Sequence, residues 1–527
     1  MGKERGAMMI AVTGGSNIIS NLKKIDFIAL MWSMVSVLPV YLFRLFNMAI
    51  GIDTEIAIVD LNIEKNWLLG CGRFSRYIVK SVFGFLASDY YISTVASIII
   101  MVVADYLILS NIRKHTNKFA FSFCILVLFS NPVFAEINYF TGDAFNYFLG
   151  IIIAMVSVYL ASQAILFNCN RKRYIFAVLF GAIAVGFYQA YYYLLMAFVI
   201  MALILYLDNE QDHKSIINKI GKYILYGILV FVVYFILQKC IYILCYQPAW
   251  DYVGYESPEE YIRGTIMWNV FPVEECFNLI KNVIDSDINI TGLFHMIPLY
   301  VLTTILIIYY IYAYIIHRNI SSLMKLMLFV LLYGTYFLQI FISGGNVSAR
   351  QKILPPFIIC FLFIYILQML VKRNMKICKG IICLIIVVIS FSQALVSVKL
   401  FKTDAIRFEQ DRDRAFEIQH ELEQQYGTIE DKKIIFLGAW GNNLWETQLC
   451  GELIGNTIWI WDSYMEWGIN YRVYYFMLAN GIEYEKPTKD EIRKGIAWIS
   501  ENAVESSGPY VFVCDPQAED IIYCLFN

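Results

Sequence analysis

Charge is scarce in this chain: Asp, Glu, Lys and Arg make up 16% of its 527 residues, while hydrophobic residues make up 59%. A soluble protein of this size would carry roughly a quarter charged residues. The mean hydropathy of +0.59 is also higher than that of a typical soluble protein. These values exclude an ordinary soluble globular protein and predict an α-helical protein that crosses a membrane many times.

The sequence also lacks the motifs of nucleotide, zinc and nucleic-acid sites. It contains no P-loop, no Gly-rich dinucleotide fingerprint and no zinc-type motif. No basic stripe is present, and the net charge is -2, so nucleic acid is not an expected partner. The 12 cysteines show no metal spacing, and most lie in apolar runs. Near the C-terminus, a disulfide among Cys450, Cys514 and Cys524 is one alternative to free thiols.

Long apolar runs predict about eleven membrane spans. They cover approximately 26–46, 90–110, 119–135, 144–167, 174–188, 190–207, 223–245, 292–316, 326–343, 353–371 and 379–398. The first run has no small-residue cleavage site after it, so we expect a retained span rather than a cleaved signal peptide. No internal repeat is found, which gives no support to a transporter built from inverted repeats.

The positions of Lys and Arg predict the orientation of these spans. Clusters such as 113–118, 171–173, 214–222 and 372–379 fall in every second short loop. The positive-inside bias places those loops and the N-terminus in the cytoplasm. An odd number of spans then places the C-terminus on the outer face. Segments 79–86 and 262–270 are typical of amphipathic helices at the membrane interface.

The composition changes after about residue 399. Segment 404–426 is dense in charge and carries apolar residues at helical spacing, which predicts a solvated helix. Segments 433–438 and 510–514 predict short strands, and 471–478 and 490–501 predict helices. We therefore expect a membrane domain over 1–398 and a small extracytoplasmic α/β domain over 399–527.

Carboxylates occur in two of the loops expected on the outer face. Asp53 and Glu55 follow the first span, while Glu136 and Asp143 lie between two later spans. The simplest interpretation is solvated loop acids, with Asp143 as a helix cap. A carboxylate beside a bilayer is poorly solvated, so its pKa can rise, and it can then take a proton from a hydroxyl. Two acidic loops on one face favour an outward-facing polar cavity.

Other polar residues lie where apolar sequence is expected. The Tyr188–Gln189 pair separates two short spans, and a buried amide such as that of Gln189 needs hydrogen-bond partners. Arg350 precedes a late span and could pair with a lipid phosphate, for which Arg73 and Arg76 are competing candidates. The alternative is that Arg350 only anchors the protein to the headgroups of ordinary membrane lipids.

The order and spacing of these motifs resemble the type II O-antigen glucosyltransferase (Gtr II-like) family, bacterial polytopic proteins of the GT-C class or close to it. The resemblance rests on Asp53 and Glu55 with Trp67 and Gly72–Arg73, on the 131–136 segment Asn-Pro-Val-Phe-Ala-Glu leading to Asp143, on Tyr188–Gln189 and on Arg350. It covers residues 30–370 approximately. This sequence departs from the family twice: Thr54 separates acids that are adjacent in the family, and Phe74 stands where proline is usual.

The resemblance implies a membrane glycosyltransferase that modifies O-antigen or another cell surface polysaccharide. It would move a sugar, glucose in the named members, from a polyprenyl-phosphate donor to a glycan acceptor at the outer face of the bacterial cytoplasmic membrane, with inversion. The implied roles are catalysis for Asp53 or Glu55, substrate binding for Glu136, Asp143, Trp67, Tyr188 and Gln189, and binding of the lipid phosphate for Arg350, Arg73 and Arg76. No cofactor is required, although the acidic site could bind a divalent metal. The expected partners are the lipid-linked sugar, the glycan acceptor and membrane lipids.

Two other functions fit the same features. A flippase or transporter of lipid-linked glycans would also be apolar with a polar cavity. The second is another GT-C transferase or a glycan polymerase, which the sequence distinguishes poorly from a type II O-antigen glucosyltransferase. The outer α/β domain and the position of the acids in loops, rather than within spans, favour an enzyme.

Overall fold

A computed structural model provides the three-dimensional structure of the protein. It describes residues 26–116, 119–208, 213–246, 254, 273–289, 293–294, 296–343, 347–441, 445, 448–502, 509–515 and 518–526. The predicted interfacial segment 262–270 lies outside the described residues.

Helices dominate the described part of the chain. In chain order they are α1 (Phe27–Phe46), α2 (Thr54–Val59), α3 (Leu61–Gly70), α4 (Phe74–Val82), α5 (Phe85–Ser88), α6 (Tyr90–Thr116), α7 (Leu126–Phe129), α8 (Pro132–Tyr139), α9 (Thr141–Ile165), α10 (Arg171–Phe187), α11 (Tyr191–Leu207), α12 (His213–Cys245), α13 (Val273–Ile288), α14 (Ile297–His317), α15 (Ile320–Ser343), α16 (Leu354–Lys372), α17 (Lys376–Tyr426), α18 (Asn470–Ala479) and α19 (Lys489–Asn502). The strands are β1 (Lys433–Leu437), β2 (Tyr510–Asp515) and β3 (Ala518–Phe526).

The predicted helical polytopic membrane fold is confirmed. Within the described residues, eight helices are long and apolar enough to cross a membrane, namely α1, α6, α9, α12, α14, α15, α16 and α17. A ninth span arises if the bent pair Ala120–Phe129 and Pro132–Tyr139, with an angle of 43° between its halves, is counted as one. The other two of the eleven predicted runs are α10 and α11, which have only 17 residues each.

Two of the helix breaks place polar residues between apolar helices. The bent pair breaks at Asn131, whose side chain accepts a hydrogen bond from the Val133 amide 3.1 Å away, while Pro132 begins α8. Proline suits the first position of a helix because the amide lost there has no partner inside the helix. The second break lies between α10 and α11, where Tyr188 is extended. Both breaks lie in segments that carry predicted site residues, Glu136 after the first and Gln189 at the second.

Helix α17 joins the membrane part to the C-terminal part. It runs without interruption for 51 residues, so the predicted boundary at 398–399 lies inside it. The apolar positions Phe408, Ala415, Ile418 and Leu422 are buried, as the helical spacing predicts. The expectation of a solvated helix is wrong for one face, because a charged set near the membrane end is buried as well. This set comprises Asp404, Arg407 and Asp411.

The C-terminal part contains a three-stranded sheet in the order β1-β3-β2. β1 is parallel to β3, with Lys433 opposite Ile521, and β2 is antiparallel to β3. The predicted strands and helices are confirmed, and β3 is an addition. The structure joins none of Cys450, Cys514 and Cys524 to another described cysteine by a disulfide.

The loop after the first span packs directly against this sheet. Ile56 of α2 and Trp67 and Leu68 of α3 share a buried cluster with Ile435 of β1 and Tyr471 of α18. Each large apolar side chain buried in this way contributes about 1.5–3 kcal/mol. The loop that carries Asp53 and Glu55 is therefore held between the membrane helices and the C-terminal part.

Candidate functional site

Asp53 and Glu55 meet on one guanidinium group. Asp53 lies at the start of α2 with a φ of 70°, a left-handed conformation that aspartate adopts more readily than most residues. Nη1 of Arg472 donates to Oδ1 of Asp53 and to Oε1 of Glu55, each at 3.0 Å. The insertion of Thr54 between the acids therefore does not separate them, because both carboxylates reach the same donor.

The two acids differ in burial. The side chain of Asp53 is 12% exposed, whereas that of Glu55 is 1% exposed. Burial raises the pKa of Glu55 to about 7, although Arg472 acts in the opposite direction, and Asp53 adds to the increase. Oε2 of Glu55 has no hydrogen-bond partner among the described residues. Asp53 is thus the more accessible acid, and Glu55 titrates near neutral pH.

The turn before Arg73 requires glycine at position 72. Gly72 has a φ of +76°, and a Cβ there would lie 2.6 Å from Oη of Tyr234 and 3.0 Å from Nε2 of Gln189. Tyr234 donates to the Gly72 carbonyl at 3.1 Å, and Gln189 donates to the carbonyl of Cys71. The predicted need of Gln189 for partners is met, since its amide fastens the turn that presents Arg73.

The three arginines predicted as alternatives converge on one region. The guanidinium of Arg73 lies 4.7 Å from the centre of the Trp67 ring and 5.4 Å from that of Tyr188. Arg76 lies 5.6 Å from the Tyr188 ring, and Arg350 acts electrostatically on the Tyr188 hydroxyl together with the other two. Residues almost 280 positions apart in sequence are therefore neighbours, and the aromatic rings of Trp67 and Tyr188 flank them.

Cys71 connects this cationic region with the acids. Burial raises the pKa of its thiol to about 11; the charges of Arg73, Arg350 and Arg76 lower that pKa, and the carboxylate of Asp53 raises it. The thiol therefore lies within electrostatic range of all four groups. Asp53 and the three arginines thus all act on the same buried thiol.

The cations of this region are only partly neutralised. Asp143 pairs with Arg76 at 3.1 Å and with Lys80 at 3.0 Å, and Lys80 also pairs with Glu64. Arg73 has no carboxylate partner among the residues that the structure describes. Lys80 and Glu64 were missed by the sequence reasoning, although both lie in the loop after the first span. The two carboxylates therefore offset the charges of Arg76 and Lys80, and neither forms an ion pair with Arg73.

Glu136 lies against a C-terminal loop. Its carboxylate is buried and accepts hydrogen bonds from the amides of Glu452 at 2.6 Å, Leu453 at 3.1 Å and Ile454 at 3.2 Å. A Cβ on Gly451 would lie 1.8 Å from Oε1 of Glu136. The structure thus places Glu136 under the 451–454 loop, and both of its oxygens are engaged there.

A second buried ionic network fastens α17 to the first span. Arg44 and Arg407 both pair with Asp404, at 3.2 Å and 2.8 Å, and Arg407 also pairs with Asp411 at 3.0 Å. Sequence reasoning missed this network. The spacing of Asp404, Arg407 and Asp411, three and four residues apart, is the signal that could have revealed one side of it.

Two further observations concern a possible metal site and a cavity in the C-terminal part. Within the described ranges, no three His, Cys, Asp or Glu side chains are grouped so that they could hold a metal ion. A cavity of about 430 Å³ opens at the carboxyl end of β1, beside Gly438, Met465 and Trp467. Ligands of open α/β sheets often bind at that end of the strands. The predicted site residues are not among those that line this cavity.

Comparison with known proteins gives one match. The family model of glucosyl transferase GtrII matches residues 42–367. No curated protein and no solved structure matches the chain. The match contains each predicted site residue, from Asp53 to Arg350, but ends before Arg472. The chain therefore belongs to the glucosyl transferase GtrII family of glycosyltransferases.

Proposed function

We propose that this protein transfers glucose from a polyprenyl-phosphate donor to a surface glycan on the outer face of the bacterial cytoplasmic membrane, with inversion. The observation that carries the proposal is the convergence of Arg73, Arg76 and Arg350 beside Asp53. Such a site can hold an anionic leaving group and, next to it, a carboxylate that accepts a proton.

The arginines are the proposed binding site for the donor phosphate. As the bond between the sugar carbon C1 and the phosphate oxygen breaks, its electron pair passes to the phosphate and adds negative charge. Preorganised cations stabilise that charge. Arg73 is the proposed principal group, because Asp143 already neutralises part of the charge of Arg76. Stacking on Trp67 and Tyr188 orients its planar guanidinium.

Asp53 is the proposed base. An acceptor hydroxyl oxygen attacks C1 from the face opposite the phosphate, and its proton passes to the Asp53 carboxylate. A single displacement of this kind inverts the configuration at C1. Asp53 is chosen before Glu55 because its side chain is the more exposed of the two.

The other predicted substrate residues receive supporting roles in this proposal. Trp67 and Tyr188 shape the donor site around Arg73, and Gln189 holds its turn. Asp143 keeps Arg76 and Lys80 in place, while Glu136 holds the 451–454 loop at the edge of the site. The reaction as proposed needs no nucleotide, cofactor or metal, and we expect a chelator to leave it unchanged.

The proposed orientation has the N-terminus in the cytoplasm and the C-terminal part outside. Asp208 supports it, since this residue pairs with Lys372 at 3.2 Å and also with Lys325. Loops that the positive-inside bias places on the cytoplasmic side are thereby joined at one end of the bundle.

The test uses membranes that contain the full-length protein and a synthetic polyprenyl-phosphate glucose labelled in the sugar. We expect label in the glycan acceptor with wild type and loss of transfer with Arg73→Gln and Asp53→Asn. Arg493→Gln is the control, because Arg493 lies on the exposed surface of α19. Passage of the lipid-linked sugar across the membrane without a new glycosidic bond would favour a transporter and overturn the proposal.

A further inference from the structure

Arg472 comes from a part of the chain that the GtrII family model does not cover. The model ends at residue 367, and Arg472 lies in α18, on the C-terminal side of the sheet strand β1. Yet Arg472 donates to both candidate acids, Asp53 and Glu55, at 3.0 Å. The acidic part of the site is therefore assembled from two regions of the chain.

Arg472 is held firmly by its surroundings. Arg472 is 7% exposed, and its Nε donates to Oδ2 of Asp462 at 3.0 Å. Two positions earlier, Asn470 ties the start of α18 to β1, because it accepts from the Phe436 amide at 2.7 Å and donates to the Phe436 carbonyl at 2.9 Å. The guanidinium is thus fixed before any substrate arrives.

We infer that Arg472 is a positioning residue for the proposed transfer: it orients Asp53 and Glu55 and favours their ionised forms, so that the C-terminal part completes the site. This inference rests on the proposed function. Arg472 does not touch the reacting atoms in this scheme. It acts through the two carboxylates.

The charges around the acids show why such a residue is needed. Asp53, Glu55 and Asp462 surround one guanidinium, and the hydroxyl of Tyr139 and the carboxylate of Glu64 lie within electrostatic range of the acids. Without Arg472 the carboxylates of Asp53, Glu55 and Asp462 would repel each other in a poorly solvated place. Protonation would relieve the repulsion, and a protonated carboxyl cannot accept the proton of an acceptor.

A first measurement does not depend on sugar transfer. Dicyclohexylcarbodiimide modifies protonated carboxyls in apolar surroundings, and mass spectrometry of the peptide that contains Glu55 reports the modified fraction at each pH. Removal of a cation this close should raise the pH of half-modification by about one to three units in Arg472→Gln. Arg472→Lys should restore most of the wild-type value, because it keeps the charge.

A second variant predicts the opposite direction. Asp462→Asn removes one competing carboxylate, so Arg472 acts more strongly on Glu55 and half-modification should move to lower pH. This variant also covers the case in which Arg472→Gln fails to accumulate in the membrane. Half-modification of Asp462→Asn at the wild-type pH, with Arg472→Gln either unshifted or absent, would overturn the inference.

The transfer assay supplies the third readout. In Arg472→Gln the acidic limb of the pH–rate profile should shift to higher pH, as the pH of half-modification does. The kcat should fall, while the KM for the donor stays within about threefold of the wild-type value. Arg493→Gln should behave as wild type. Reduced activity with an unmoved pH profile would mean that Arg472 only supports folding, and the inference would be wrong. Wild-type membranes without any transfer would instead contradict the proposed function, and the labelling result would still decide the role of Arg472.

Discussion

The guanidinium of Arg73 lies 4.7 Å from the centre of the Trp67 ring, and both residues come from the loop after the first span. Among the described residues Arg73 has no carboxylate partner, in contrast to Arg76, which pairs with Asp143. A cation that is held by aromatic rings and left without a counter-ion is available to an anion from outside. This relationship leads to the first prediction.

Arg73→Gln should lower kcat/KM for the polyprenyl-phosphate donor by about 100-fold, because a charged hydrogen bond to phosphate contributes about 1.5–3 kcal/mol. Arg73→Lys should recover only part of the loss, since lysine lacks the planar fork and the stacking. Initial rates at several donor concentrations measure both effects. Equal values for Arg73→Gln and wild type would remove Arg73 from the donor site.

Asp53→Asn should lower kcat by about 10²- to 10⁴-fold, the usual contribution of a general base. Glu55→Gln should have a smaller effect, because its carboxylate is fully buried. Single-turnover transfer with bound donor separates this loss from weaker binding. A double variant with full activity would show that the base lies elsewhere.

Stability should depend on pH through Glu55. Burial raises its pKa from 4.5 to about 7, so between these values the folded protein holds a proton that the unfolded chain releases. Stability contributed by this group is therefore present at low pH and lost as pH rises through about 7, by up to about 3 kcal/mol. Thermal unfolding of the detergent-purified protein between pH 5 and 8 measures the trend.

Glu55→Gln is the comparison for that experiment. The amide does not titrate, so its unfolding temperature should fall less steeply over the same pH range. Parallel curves for the two proteins would show that Glu55 has an ordinary pKa in the folded state.

Gly72→Ala should weaken the turn that presents Arg73. The left-handed conformation costs alanine about 1–2 kcal/mol, and its Cβ would clash with the Tyr234 hydroxyl. We expect lower transfer activity and a lower unfolding temperature. Gly221→Ala in α12 is the matched control, because a Cβ there meets nothing within 4 Å. A similar result for both variants would contradict the assigned role of Gly72.

The orientation can be tested with a phosphatase fusion. Helix α17 continues to Tyr426, so the fusion belongs in the 427–431 loop rather than at the compositional change near residue 399. Phosphatase that folds only outside the cytoplasm should be active there. An inactive fusion, together with an active one in the loop near Asp208, would reverse the proposed topology.

Local pattern was sufficient for much of this fold. Apolar runs predicted the positions of the spans, short apolar segments predicted β1 and β2, and helical spacing predicted the buried stripe of α17. The need of Gln189 for partners also followed from residue chemistry alone. These features depend on contacts close in sequence or on the bilayer as solvent, both of which a single chain displays directly.

The contacts that build the site are of another kind. Arg472 and Asp53 are separated by 419 positions, and Glu136 and Glu452 by 316. Nothing in the local pattern of either partner indicates the other. The buried Asp404 network was missed for the same reason. A charged helix face is normally exposed to water, and the sequence does not show that another charged surface covers this one.

By itself, the sequence determined that the protein crosses a membrane as a helical bundle and that the loop after its first span carries acids and arginines. Only the tertiary structure decided that Arg73, Arg76 and Arg350 share one region, and that Arg472 holds both acids. The physical reason is that hydrophobic length and periodicity are properties of a segment, whereas the neutralisation of a buried charge depends on which distant segment packs against it.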